Sequence, residues 1–147
     1  MRMLSKSLSD TKAIARQFAE RLEPREGGAT VVALSGDLGA GKTTFTKAFA
    51  GALGLDPEEV TSPTFVIQKK FPIKGRGRFK QLVHIDAYRL EKAGEIERLG
   101  WKELVADPSN LILIEWPENI GAALPEGAQR ISFAHKGEEE REIVFES

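Results

Sequence analysis

Apolar residues recur at helical spacing in "SLSDTKAIARQFAERL", where Ile14, Phe18 and Leu22 lie four apart with Ala15 and Ala19 beside them. That spacing gathers them on one side of a helix. Ser9 or Asp10 is the candidate N-cap, and Pro24 with the glycines of "EGG" ends the helix. The period then changes. "TVVALS", Thr30 to Ser35, is a continuous β-branched and apolar run, which predicts a strand buried on both faces. Helical spacing returns from Lys42 in "KTTFTKAFAGALGL", with Phe45, Ala48, Phe49, Ala52 and Leu53 inward and Gly54 as the stop.

Downstream, "FVIQKKFPI" and "FKQLVHIDAY" alternate on either side of "KGRGR", the pattern of a hairpin. "RLEKAGEIERLGWKELVADP" predicts short helices broken by Gly94 and Gly100, and "NLILIEW" a buried strand ended by Pro117. The tail "AQRISFAHKGEEEREIVFES" alternates around a Lys-Gly-Glu turn, which predicts a closing antiparallel hairpin. Strands alternating with helices point to an α/β fold with a mostly parallel central sheet and antiparallel hairpin strands. Periodicity does not encode the order of the strands.

Composition narrows the function classes. A chain of 147 residues is most simply one domain with its own core. Its 21 basic and 22 acidic side chains leave a net charge of −1, so nothing in the balance calls for nucleic acid or a membrane as a direct partner. With no cysteine, disulfides, zinc–thiolate sites and thiol catalysis are excluded. "MRMLSKSLSD" lacks the apolar core of a signal peptide and no run has the length of a membrane span, so a cytoplasmic address is expected.

Between the first buried strand and the second helix stands Gly36-Asp37-Leu38-Gly39-Ala40-Gly41-Lys42-Thr43, which matches G-x-x-x-x-G-K-[ST] at every fixed position. Glycines let successive backbone N–H groups turn inward as an anion-binding nest, and the helix start adds its own unpaired N–H groups. Lys42 would then reach the β- and γ-phosphates, the Thr43 hydroxyl would ligate Mg²⁺, and Thr44 can bond the α-phosphate side. A glycine-rich turn with no ligand is the bland alternative, and chance rarely supplies both the motif and its strand–helix flanks.

Hydrolysis also needs carboxylates that hold a metal and position water. "QLVHIDAYR" ends a strand in Asp86, and "NLILIEWPE" ends another in Glu115. If both strands run parallel to "TVVALS", the two acids emerge beside the phosphate loop, one for Mg²⁺ and one for the attacking water. Otherwise each merely caps the next turn. "VTSPTF" follows the loop helix and offers Thr61, Ser62 and Thr64 around Pro63, either as a switch that senses the γ-phosphate or as an ordinary turn. Trp116 is core or a platform for a partner or base, and His84 points to the same face as Asp86. Arg89 is a phosphate-facing cation or a surface ion-pair partner. Lys69, Lys70 and "KGRGRFK" form a solvated basic hairpin or, as the alternative, a surface for an anion such as RNA. The Asn-Lys-x-Asp guanine motif is absent, which tilts the base toward adenine.

"GDLGAGKTT", "TSPTF", "HIDAYRL" and "LILIEWPE", in that order, resemble the TsaE family across nearly the whole chain. These are small bacterial P-loop ATPases required for the threonylcarbamoyl modification of adenosine 37 in tRNAs that read codons starting with A. The resemblance implies a P-loop NTPase-like three-layer sandwich, ATP and Mg²⁺ as cofactors, and weak intrinsic ATPase activity. It implies TsaB and TsaD as partners, tRNA contact only through that complex, no membrane, and hydrolysis that serves turnover of the complex. Carried over by position, Gly39, Ala40, Gly41, Lys42, Thr43 and Thr44 hold the phosphates, with Lys42, Asp86 and Glu115 catalytic. Thr43, Asp86 and Glu115 surround the metal, and Thr61 to Thr64 form the switch loop. Thr11 matches a contact to the base or sugar, and Lys136 is a weaker candidate near the base. A small-molecule kinase, with Arg89 to Trp101 as its lid, is the competing reading. A nucleotide-dependent binding module without hydrolysis is the third.

Overall fold

The structure is a computed structural model that describes residues 1–36, 41–61, 67–74 and 78–146. Gly39, Ala40, Ser62, Pro63 and Thr64, all assigned roles above, lie outside the described residues. The run "TVVALSG" becomes strand β2 (Thr30–Gly36), buried from Thr30 to Leu34 because other strands flank it and apolar layers cover both faces. In chain order the elements are β1 (Arg2–Ser5), α1 (Leu8–Arg21), β2, α2 (Lys42–Ala52), α3 (Pro57–Thr61), β3 (Gln68–Pro72) and β4 (Gln81–Asp86). Then come α4 (Trp101–Ala106), β5 (Asn110–Glu115), β6 (Gln129–His135) and β7 (Arg141–Glu146). They build one seven-stranded sheet of order β1-β7-β6-β2-β5-β4-β3.

The four central strands β6, β2, β5 and β4 are parallel, and an antiparallel hairpin closes each side, β3 on β4 and β7 on β6. Side chains alternate across the sheet, so Val32, Leu34, Leu82, Leu111 and Leu113 share one face. There they pack with Ile14, Ala15 and Ala19 of α1 and Phe45, Ala48 and Phe49 of α2. Phe45 and Phe49 are fully buried, each worth roughly 2–3 kcal/mol of transfer free energy. Val31, Ala33, Val83, Ile85, Ile112 and Ile114 occupy the other face, beneath α4 and short 3₁₀ turns that supply Leu90, Ile96, Trp101 and Ile120. The mixed sheet, with its parallel centre and two hairpins, agrees with the pattern of alternation.

Several expectations are corrected. The N-cap of α1 is Ser7, not Ser9 or Asp10. Its extended backbone lets Ser7 Oγ accept the Asp10 N–H at 3.2 Å, while Asp10 Oδ2 accepts the Lys6 N–H at 3.0 Å. The first bond satisfies an orphan donor of the helix start, and the second ties the residue before the cap to the first turn. Ala52 is exposed rather than inward, because it falls in the last turn of α2. Gly94 interrupts nothing and lies inside a 3₁₀ helix over Ala93–Leu99, whereas Gly100, at φ 77°, does separate that turn from α4. β1 was not foreseen. Its four residues show no usable period, and it becomes a strand by pairing with β7, Arg2 opposite Val144 and Ser5 opposite Arg141.

Candidate functional site

β2 ends in Gly36 and α2 begins at Lys42, so the phosphate motif spans the carboxyl end of the central strand. Gly36 has φ 133°, and a Cβ there would collide with the Phe133 carbonyl on β6. The first glycine of the motif is therefore required by the close approach of two strands as well as by its dihedral. Gly41, at φ 104°, precedes the helix with no side-chain cap, and the first turn carries no acid. Among the described residues the N–H groups that open α2 thus have no side-chain acceptor, and an anion is what such a helix start accepts.

Parallel pairing sets the acids. Leu34 of β2 registers with Glu115 of β5, and Glu115 registers with Asp86 of β4, so both carboxylates stand at the same end of adjacent strands. A cleft of about 490 Å³ opens there. Gly41, Lys42, Thr43, Thr44, Asp86, Glu115, Trp116 and Thr11 all line it. The structure therefore gathers eight residues from four separate stretches of the chain, 11, 41–44, 86 and 115–116.

Lys42 is only 6% exposed, and its Nζ lies 4.4 Å from the centroid of the Trp116 ring. Among the described residues no carboxylate comes within ion-pair distance of it. The indole offsets part of the desolvation of that ammonium but cannot neutralise it. Trp116 holds φ 60°, ψ 50°, a left-handed conformation that disfavours a bulky residue. Its ring also meets Tyr88 at 5.1 Å, so the indole that covers the lysine is itself backed by a second aromatic ring.

Glu115 Oε2 is 3.0 Å from His84 Nε2, and both side chains are largely buried. Asp86 Oδ1 accepts the Tyr88 N–H at 3.0 Å and caps the 3₁₀ turn Ala87–Arg89. Each acid is thus held through one oxygen, and the capping role exists alongside the place in the cleft. The Thr43 hydroxyl and the two carboxylates make an all-oxygen donor set, which suits a hard divalent cation with phosphate and water completing its shell. Among the described residues no three His, Asp or Glu side chains gather into a protein-only metal cage. The buried ammonium, with no ion-pair partner among the described residues, the uncapped helix start and the oxygen donors together fit a metal-bound polyphosphate.

Two candidates fall elsewhere. Thr61 ends α3 with its hydroxyl donating to the Pro57 carbonyl at 2.8 Å, outside the cleft lining. Lys136 pairs with Glu142 at 3.4 Å and does not line the cleft either. From the same hairpin Glu139 and Arg141 do, and Leu8 joins them. Nothing in the sequence pattern selects those three residues, because which part of a hairpin faces the cleft depends on the packing of the sheet edge. The His84–Glu115 contact was half legible: the pleat puts His84 on the face of Asp86, but only the order of β4 and β5 adds Glu115.

A mixed α/β sheet with a polar cleft at the carboxyl ends of its parallel strands defines the general class. Comparison with known proteins narrows it. A family model described as "Threonylcarbamoyl adenosine biosynthesis protein TsaE" matches residues 5–143, and this chain belongs to the TsaE family. It is 41% identical over 136 residues to the tRNA threonylcarbamoyladenosine biosynthesis protein TsaE of Bacillus subtilis, covering 92% of this chain and 78% of that protein. The protein of the same name from Treponema pallidum is 38% identical, with 98% of each chain covered. A crystal structure of YdiB from Bacillus subtilis superposes with a TM-score of 0.74 at 35% identity, covering 99% of this chain and 83% of that one. Among the described residues no helix is long and apolar enough to cross a membrane.

Proposed function

We propose that this protein is a Mg²⁺-dependent ATPase of P-loop type that acts in the cytoplasm with TsaB and TsaD, supporting turnover of the complex that forms N6-threonylcarbamoyladenosine at position 37 of tRNA. The family and the names of its relatives support the place in tRNA modification. The nucleotide reading is carried by one observation: Lys42, buried and with no acidic partner among the described residues, shares a cleft with Asp86 and Glu115 at the tips of adjacent parallel strands.

In this reading the α2 N-terminus and Lys42 take the phosphates, with Lys42 exchanging its contact with the indole for phosphate oxygens. Thr43, Asp86 and Glu115 would hold Mg²⁺, which would supply positive charge to offset that of the phosphates. Water attacks the γ-phosphorus, the bond to the β–γ bridging oxygen breaks, and ADP and phosphate leave. Glu115, oriented by His84, and Asp86, oriented by the Tyr88 N–H, are placed to align that water or accept its proton. The kinase reading has less support: Leu90, Ile96 and Trp101 are buried on the far face of the sheet, and neither Arg89 nor Arg98 is among the described residues that line the cleft.

The test is ATP turnover by the purified chain, alone and with TsaB, TsaD and substrate tRNA. Slow Mg²⁺-dependent phosphate release, raised by the partners and abolished in Lys42→Ala, is expected. Phosphate transfer to a small acceptor, or release indifferent to Lys42→Ala, would remove the reading.

A further inference from the structure

Between Val60 and Ile85 the sequence holds six of the chain's 21 basic residues and none of its 22 acidic ones, which leaves an acidic excess everywhere else. Lys74, Arg78 and Lys80 stand between β3 and β4, at the amino end of the parallel strands. β4 runs from Gln81 to Asp86, so roughly 17 Å of strand separates these cations from the acids of the cleft. Lys70, Lys74, Arg78 and Lys80 are all exposed. Lys70 lies opposite Val83, on the α4 side of the sheet, whereas Lys74 and Arg78 line a hollow with Leu22 and Leu53 at the ends of α1 and α2. The charge thus stands on both faces of the hairpin, as a ridge rather than a flat patch. Neighbouring acids take up part of it: Glu23 pairs with Arg78 at 3.2 Å, Glu20 lines the same hollow, and Asp107 lies in the field of Lys80. Among the described residues Lys70, Lys74 and Lys80 form no ion pair.

β3 is the outermost strand on its side, and lysines on an edge deter pairing with another chain. That purpose accounts for Lys70 but not for Lys74, Arg78 and Lys80, which lie beyond the strand. The cores of protein interfaces are rich in aromatic groups and poor in lysine. Among the described residues from 67 to 86 no large hydrophobic side chain is exposed, so the ridge lacks what a protein partner would bury. A phosphodiester backbone asks only for repeated cations. We infer that the ridge of Lys70, Lys74, Arg78 and Lys80 is a contact surface for the phosphate backbone of tRNA, distinct from the nucleotide cleft. The polyanion is the substrate of the modification proposed above, on which this inference rests, and the contact is direct rather than only through the partner proteins. The acidic excess of the other faces turns an approaching RNA toward this one.

The experiment measures binding of an unmodified tRNA that reads a codon starting with A, by fluorescence anisotropy, between about 50 and 200 mM salt. Four phosphate contacts should make the affinity of wild type fall about a hundredfold over that range. Lys70→Gln, Lys74→Gln and Lys80→Gln together remove three exposed cations. The triple variant should bind at least about tenfold more weakly at the low-salt end and show a salt slope smaller by about three. With TsaB and TsaD present, the tRNA concentration that half-maximally stimulates ATP turnover should rise severalfold, while turnover without tRNA stays unchanged. Three results would overturn the inference while ATP turnover stands: no tRNA binding by wild type, a triple variant that binds as tightly, or equal displacement of the tRNA by polyglutamate, the mark of a site for an acidic protein. If TsaB, TsaD and tRNA leave ATP turnover of wild type unmoved, the functional reading falls, and this inference with it.

Discussion

Lys42 is arranged for a ligand rather than for the stability of the free protein. A cation that is 6% exposed and, among the described residues, meets an indole and no carboxylate is incompletely compensated. Lys42→Met should therefore leave unfolding free energy unchanged or raise it by up to about 1 kcal/mol, while ATP affinity falls at least tenfold. Chemical denaturation read beside nucleotide titration checks both halves, and a clear loss of stability would refute the first. Glu115→Gln keeps an oxygen for His84 and removes the charge. It should lower kcat by about a hundredfold with only a severalfold change in nucleotide affinity, as expected of a group acting in the transition state. Equal losses in both would point to ground-state binding. The positions of Lys42, Asp86 and Glu115 were legible because each ends or begins a strongly periodic segment. The roof over Lys42 was not, since it depends on the left-handed turn at Trp116, where no glycine announces it.

Helix ends offer the cleanest tests at the scale of elements. Ser7→Ala removes the acceptor for the Asp10 N–H and should cost about 1 kcal/mol, measured by thermal or urea unfolding. α2 closes with the Gly54 N–H on the Gly51 carbonyl and the Leu55 N–H on the Ala50 carbonyl, both at 3.0 Å, with Gly54 at φ 83°. Gly54→Ala meets open space but the wrong dihedral, so it should destabilise by about 1 kcal/mol from the backbone alone. Before β5, hydrogen bonds from the hydroxyl and N–H of Ser109 hold the Asp107 carboxyl below its ordinary value of 3.8. The contribution of that turn is present above pH 3.8 and lost as pH falls through the depressed value. In Ser109→Ala the Asp107 titration followed by NMR should move upward toward 3.8. The stop at Gly54 could be read in advance because positive φ selects glycine. The start at Ser7 could not be separated from Ser9 and Asp10, since all three side chains are good caps and only the backbone geometry chooses.

For the molecule as a whole, a ligand bound only by the folded state should add about 2.7 kcal/mol at a hundred times its dissociation constant. For a domain of this size that is a rise of about 8 °C in Tm with MgATP, and little with Lys42→Ala. Alternation and helical period indicated a mostly parallel sheet with hairpins at its margins. They carried no information on which strand lies beside which, because adjacency in a parallel sheet is decided by crossovers whose handedness leaves no local mark.

That adjacency has a consequence for synthesis. β2, whose last residue opens the glycine-rich motif, finds its neighbours late: Thr30 lies against Leu111, and Val32 against Gln129. A chain leaving the ribosome therefore displays its entire nucleotide motif long before the sheet that aims it can close. Nascent fragments that stop ahead of β5 would carry the signature and remain unable to grip a nucleotide.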